Sequence, residues 1–345
     1  MLRRIREVEM LKVGVVGCGG VGLIHSKAYQ SHPEAELICV CDIVKEKAEI
    51  RARELGVKSY FSVKDMLAAE ENLDAVGVIT ADHLHFEPTM EALEAGKHVL
   101  VEKPLSLYIK EAEQMVEKAR EKSVQLAIDY NRRYSQAYLK ARDYVEDGTL
   151  GDIAYVIMKL AQGGPASSRK GKYYLLFELQ SHSIDLMQHF GGDIVEVSAH
   201  MAAPRAAQAK PGEDIVYTSI AISMKFAAER VGTLMASWDS SFTHPIEFLE
   251  VCGSNGYMRV DNIVEAVSFY PHRDQTVRVW KPSIFDTGAL TFNRIFENRI
   301  HAFIDDLIAG REPAPTGMDG LKALRVIEAA IKSFEEKKAV KIPDF

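Results

Sequence analysis

Three groups of residues have types and spacing that could do chemistry. The first is Gly17, Gly19 and Gly22, a Gly-x-Gly-x-x-Gly pattern that follows the apolar run Leu11 to Val16. A strand leading through such a turn into a helix is a pyrophosphate site. The first glycine permits the tight turn, the second lets backbone approach the phosphates, and the third allows close helix packing. The N–H groups and dipole at the helix start then meet the negative charge. The second is Asp42, which ends the next apolar run 20 residues after Gly22. A carboxylate there accepts hydrogen bonds from adenosine ribose hydroxyls and repels a 2′-phosphate, so NAD is expected over NADP, with Lys45 partly offsetting the repulsion. The third is Glu102-Lys103-Pro104, at the C-terminal end of the run Lys97 to Val101. Open α/β sheets bind ligands at that edge, and the Lys103 ammonium could stabilise an alkoxide or carbonyl oxygen there, or shuttle a proton.

Positioning these groups requires a layered scaffold, and the chain from Leu11 to about Tyr130 reads as one. Short apolar, β-branched runs at Leu11 to Val16, Leu37 to Cys41, Ala75 to Thr80, His98 to Val101 and Gln125 to Asp129 predict strands. Between them, Lys45 to Leu55, Glu87 to Ala95 and Ile109 to Lys122 have helical apolar spacing. That alternation predicts an α/β Rossmann domain with a parallel, doubly wound sheet over residues 10–130. Beyond it, a helix at Gln136 to Glu146 precedes strand-like runs at Ile153 to Leu160, Ile215 to Phe226, Val231 to Trp238, Phe248 to Cys252 and Tyr257 to Val260. One helix, Glu178 to Phe190, interrupts them, and helices near Phe292 to Ala309 and Gly320 to Glu336 close the chain. Residues 131–345 therefore read as an α+β domain with a largely antiparallel sheet.

The bulk composition narrows the function. A chain of 345 residues, 47% hydrophobic and 26% charged, suits a folded protein of roughly two domains. A net charge of -7 without a basic stretch argues against nucleic acid. No run of 18 apolar residues suggests a membrane span, and the charged opening Met1 to Glu9 is no signal peptide, so a cytoplasmic protein is expected. Because Met10 stands just ahead of the first strand, residues 1–9 are expected to be an upstream-start extension or a frayed tail. The four cysteines, Cys18, Cys39, Cys41 and Cys252, have no zinc spacing; they read as free thiols, and no metal is expected.

In order and spacing, several of these features resemble the glucose–fructose oxidoreductase, inositol dehydrogenase and rhizopine catabolism family, Gfo/Idh/MocA. They are the glycine turn, Asp42, Thr80 through His85, Gly96-Lys97-His98-Val99 leading to Glu102-Lys103-Pro104, and Asn131-Arg132-Arg133-Tyr134. His182-Ser183-Ile184-Asp185-Leu186 and the run Phe303 to Ser333 extend the likeness over nearly the whole chain. The resemblance implies NAD contacts from Gly17, Cys18, Gly19, Gly20, Val21, Gly22, Asp42, Ile43, Thr80, Asp82, His85, Glu102 and Lys103. It implies a catalytic set of Lys103, His182 and Glu178, with His182 taking the hydroxyl proton, Lys103 polarising the oxygen and Glu178 orienting the imidazole or substrate. If their segment is helical, residues 178 and 182 share one face. The resemblance also implies a sugar, sugar derivative or inositol-like cyclitol as substrate, and a homodimer or homotetramer formed through the C-terminal sheet.

Ala81, Asp82, Glu178 and Gln180 stand where the family usually has proline, asparagine, aspartate and glycine, so the substrate pocket is not equated with that of inositol dehydrogenases. Arg132, Tyr134, Lys172, Tyr173, Trp238 and His244 are candidate substrate contacts by location. Two other functions stay open on sequence: a redox-neutral, NAD-retaining glycoside cleavage, and a non-catalytic dinucleotide-sensing regulator. Retention of both Lys103 and His182 argues against the regulator, and release of NADH separates the dehydrogenase from the glycoside cleavage.

Overall fold

The computed structural model describes residues 10–163, 171–204, 215–241, 245–283, 285 and 288–343. Residues 1–9 and His244 lie outside the described residues, and with them the expectations that concern them.

The chain divides into two compact units. The first runs to Asp129 and takes in Phe296–Leu321; the second comprises Tyr130–Ile295 and the chain from Lys322 onward. The sequence alone assigns residues 131–345 to one domain. The difference lies in Phe296–Leu321, where Ile300, Phe303 and Ile304 join Val13, Val15, Leu37, Tyr29 and Leu100 in one buried cluster. Burying three such side chains is worth several kcal/mol, and sequence adjacency gives no hint of which core receives them.

In the first unit, β1 (Leu11–Val16), α1 (Gly20–Ser31), β2 (Ala35–Cys41), α2 (Lys45–Leu55), β3 (Lys58–Tyr60) and α3 (Val63–Ala69) form one half. The other half is β4 (Ala75–Val78), α4 (Phe86–Glu94), β5 (His98–Val101), α5 (Ile109–Lys122) and β6 (Leu126–Ile128). The six strands are parallel in the order β3-β2-β1-β4-β5-β6, the doubly wound order. The strand order reverses between β1 and β4, and ligands bind beyond the carboxyl ends of strands at such a reversal. The central strands are buried on both faces, which is why β4 and β5 read as continuous apolar runs. The sequence pattern showed neither β3 nor α3: one has three residues and the other seven.

In the second unit come α6 (Gln136–Glu146), β7 (Ile153–Ala161), a π-turn at Leu176–Gln180, α7 (Ser181–Gly191), β8 (Ile194–Ala202), β9 (Ser219–Phe226) and β10 (Val231–Ser237). They are followed by β11 (Glu247–Gly253), β12 (Gly256–Asp261), β13 (Ala266–Pro271) and β14 (Arg278–Trp280). Last in chain order are α8 (Gly288–Ile308), α9 (Gly317–Glu336) and β15 (Val340–Lys341), of which the Phe296–Leu321 stretch belongs to the first unit. The sheet order is β14-β13-β12-β11-β7-β10-β9-β8-β15. Among the described residues only β7 and β10 of this sheet pair in parallel, so the expected largely antiparallel α+β sheet is present, with more strands than the sequence showed. Alternation along β9 and β10 turns Ile220, Ile222, Leu234 and Ala236 inward and Lys225, Val231 and Met235 outward.

Candidate active site

The glycine turn closes β1 and opens α1, and each glycine meets a different constraint. Gly17 has φ +107°, and a Cβ there would lie 2.2 Å from the Ile79 carbonyl oxygen, so the turn is pressed against the end of β4. At Gly22 a Cβ would come within 1.9 Å of the Gly17 carbonyl oxygen, which fixes how closely α1 returns over the turn. Gly19 and Gly20 differ: a Cβ on either meets nothing within 4 Å. Protein packing does not demand glycine there, whereas a pyrophosphate approaching the first N–H groups of α1 does. This open cradle fits a dinucleotide. Val21 and Ile43 are exposed beside it, Ile43 by 79%. An apolar side chain that far out of the core suits the face of an adenine ring.

Asp42 is placed by the same turn. Its Oδ2 accepts the Cys18 N–H at 2.9 Å and its Oδ1 accepts the Val44 N–H at 2.8 Å, so the carboxylate is aimed from the end of β2. Nearby, Arg51 donates to the Cys18 carbonyl at 3.2 Å. Burial pushes the Cys18 thiol up to about 11 and those of Cys39 and Cys41 up to about 12, so all three stay protonated at neutral pH.

At the end of β4, the Thr80 hydroxyl donates to the Leu84 carbonyl at 3.1 Å, and Asp82 opens a short 3₁₀ turn, accepting the His83 N–H at 2.9 Å. His85 is buried at the start of α4, where its Nδ1 donates to the Pro104 carbonyl at 2.8 Å. Burial holds its pKa below the usual imidazole value. At the end of β5, the Glu102 N–H pairs with the Val78 carbonyl at 3.0 Å, and the Lys103 N–H donates to Glu102 Oε2 at 2.9 Å. A cis peptide joins Lys103 to Pro104. Lys103 is thus held by main-chain contacts at the carboxyl edge of the sheet, where the Rossmann topology puts ligand chemistry.

In the second unit, His182 stands in the first turn of α7, 8% exposed, with its ring edge-on to Tyr130 at 5.8 Å between centroids. The turn before it, Leu176–Gln180, is π-type and not α. The expectation that Glu178 and His182 share a regular helical face is thereby modified: Glu178 sits in the widened turn, and α spacing begins only at Ser181. Single π-turns of this kind concentrate at functional sites. Gln180 is fully buried there, with neither amide atom hydrogen-bonded in the protein. Asp185, one turn beyond His182, receives Arg133 through both carboxylate oxygens, at 2.9 and 2.5 Å, which anchors α7 to the 3₁₀ turn Asn131–Tyr134.

Residues 11–130 match the model of an "Oxidoreductase family, NAD-binding Rossmann fold", and residues 142–342 match that family's "C-terminal alpha/beta domain". The chain belongs to the Gfo/Idh/MocA oxidoreductase family. It is 26% identical to a myo-inositol 2-dehydrogenase of Thermotoga maritima, covering 97% of this chain and 99% of that one. It is 28% identical to a scyllo-inositol 2-dehydrogenase (NAD(+)) of Bacillus subtilis, covering 97% of each. In fold it resembles a levoglucosan dehydrogenase solved in complex with NADH and levoglucosan, with a TM-score of 0.85, 22% identity, and coverage of 97% of this chain and 100% of that one.

Within this Gfo/Idh/MocA chain, the candidate substrate contacts fall into different surroundings. Arg132 is buried in an ion pair with Glu247, which also accepts the Tyr138 hydroxyl at 2.6 Å, so its guanidinium already has a structural partner. Tyr173 donates its hydroxyl to Glu335 at 2.7 Å and stacks on Tyr217, while Lys172 lies 3.6 Å from the same Glu335. Trp238 is buried, with its ring 6.4 Å from that of Tyr174. Tyr134 is half-buried in the 3₁₀ turn next to Arg133. Sequence reasoning quoted Arg133 and Asp185 only as members of motifs, with no role assigned, and did not single out His25 and Asp129. For Asp129 a signal existed: an acidic residue directly after an apolar strand, as at Asp42 and Glu102.

Proposed function

We propose that this family member is an NAD-dependent dehydrogenase that oxidises a secondary alcohol of a cyclitol, sugar or sugar derivative. The observation that carries the chemistry is Lys103, fixed at the carboxyl edge of the parallel sheet by the Glu102 and Val78 contacts, on the same unit as a glycine cradle open to a pyrophosphate. The inositol dehydrogenases to which the chain is similar over nearly its full length support the substrate class.

Bound NAD supplies the hydride acceptor. Gly19, Gly20 and the first N–H groups of α1 would hold its pyrophosphate, exposed Ile43 would offer an apolar surface to its adenine, and Asp42 would take the ribose hydroxyls and select against a 2′-phosphate. The Lys103 ammonium stabilises the substrate oxygen as negative charge grows on it. His182 accepts the hydroxyl proton, its ring held by the edge contact with Tyr130, and Glu178 orients it. Lys103→Met and His182→Ala should each cut turnover roughly 10²-fold or more, with NAD binding largely intact. The assay is NADH release across a panel of cyclitols, aldoses and glycosides. Normal turnover in either variant would remove that residue from the mechanism.

Two further properties belong to the same reading. The outward rows of the large sheet place Val231, Tyr155 and Tyr257 in register, with Tyr257 stacked on Tyr270 at 4.4 Å and Met235 46% exposed. A sheet face that carries these aromatic and apolar side chains among its charged ones is suited to a second copy of the chain, as a homodimer or homotetramer. The free cysteines fit a reducing compartment such as the cytoplasm. Among the described residues, no helix is long and apolar enough to cross a membrane.

A further inference from the structure

Helix α1 carries a histidine that neither the glycine turn nor the hydride chemistry uses. His25 is completely buried, and its Nε2 lies 3.3 Å from Glu102 Oε1 and 3.1 Å from Asp129 Oδ2. The three side chains come from α1, from the end of β5 and from the residue after β6. Asp129 is fully buried and the Glu102 side chain only 12% exposed. Two carboxylates converging in so dry a place repel each other unless a positive charge or a proton lies between them. Other groups lie near His25 as well. Tyr29 follows one turn later on α1, the edge of Phe296 approaches from α8, and Arg299 of α8 donates to the carbonyl of Ile128, next to Asp129. Burial alone would push the His25 pKa down. The close approach of the Asp129 and Glu102 carboxylates overrides it and raises the value to about 9, so the imidazolium persists at neutral pH.

Glu102 connects this cluster to the proposed chemistry. One carboxylate oxygen faces His25, while the other accepts the backbone N–H of Lys103 at 2.9 Å. On the far side of Lys103, the Pro104 carbonyl is held by His85 at 2.8 Å. The main chain around Lys103 is therefore tethered on one side by the carboxylate of its own neighbour Glu102 and on the other by His85, which reaches from the start of α4. We propose that His25 is a positioning residue for Lys103, acting through the Glu102 carboxylate with Asp129 as the balancing charge. Without the imidazolium, Glu102 and Asp129 repel, and the carboxylate that holds the Lys103 N–H is displaced. A proton-transfer group must sit within hydrogen-bond reach of its target, so a displacement of this kind lowers turnover without touching the pyrophosphate cradle.

This inference rests on the role proposed for Lys103, and its test separates the two. Protein labelled with [15N]lysine, with Lys103 assigned through Lys103→Arg, is titrated by NMR from neutrality through the His25 midpoint of about 9. The expected result is a Lys103 amide resonance that moves with that midpoint in the native chain and stays flat in His25→Gln and in Glu102→Gln. No substrate is needed, so a fruitless polyol screen would count against the dehydrogenase reading alone. With a polyol that the native enzyme does oxidise, His25→Gln should lower kcat about tenfold or more while the Kd for NAD stays within about twofold. A Lys103 resonance that is flat in the native chain would overturn the proposal, as would one that still moves in Glu102→Gln. So would equal losses of kcat and NAD affinity, or one equivalent of tightly bound metal per chain, since a divalent cation among these three ligands would supply the charge instead. If His25→Gln does not fold, the native chain and Glu102→Gln decide the matter.

Discussion

Asp42 binds its own turn with both oxygens before any ribose arrives, so removing the side chain and removing its charge are different experiments. Asp42→Asn keeps an acceptor for the Cys18 N–H while abolishing the repulsion of a 2′-phosphate. The ratio of Kd values for NADP and NAD should fall about tenfold, and an unchanged ratio in paired titrations would remove Asp42 from cofactor selection. His25 makes a second prediction at this scale. Its folded pKa of about 9 lies above the unfolded value near 6.5, so the stabilisation is fully present below about pH 6.5 and is lost as pH rises through about 9. The contribution is on the order of 3 kcal/mol. Thermal unfolding should therefore show the native chain losing stability across that window, with a flatter profile for His25→Gln. Neither His25 nor Asp129 was legible in the sequence as a pair, because they lie on elements a hundred residues apart in the chain and only the sheet order joins them. The glycines, Asp42 and Lys103 were legible because each belongs to a strand end whose position follows from local pattern.

Among the elements, the turn between β1 and α1 separates folding from binding. Gly22→Ala forces a Cβ against the Gly17 carbonyl oxygen and should lower the melting temperature markedly. Gly19→Ala enters open space in the protein, with the residue at φ -71°, so it should fold normally yet weaken NAD binding about tenfold or more. Differential scanning fluorimetry with and without NAD distinguishes the two, and normal NAD binding by a well-folded Gly19→Ala would argue that no pyrophosphate lies there. The parallel sheet could be read from sequence because its central strands are buried on both faces. The second sheet was only partly readable. β15 has two residues, β14 three, and β8 alternates too weakly, with Glu196 and His200 among its apolar residues, to stand out as a strand. The π-turn before His182 has no sequence signature, because widening a helix by one residue leaves its apolar spacing nearly unchanged.

For the whole molecule, assembly and turnover are the properties to measure. If the outward face of the large sheet joins copies of the chain, Met235→Glu, at a site 46% exposed, should shift the protein to a smaller species in light scattering without lowering its melting temperature. An unchanged mass would place any interface elsewhere. The central claim is that hydride leaves a secondary carbinol carbon and ends on the cofactor. It is tested most directly by supplying a cyclitol or sugar deuterated at its carbinol carbons, with NAD, and following the label by mass spectrometry. The account predicts one deuterium on the reduced nicotinamide for each ketone formed, with this transfer lost in Lys103→Met and in His182→Ala. Conversion of the substrate with no accumulation of labelled NADH would contradict it.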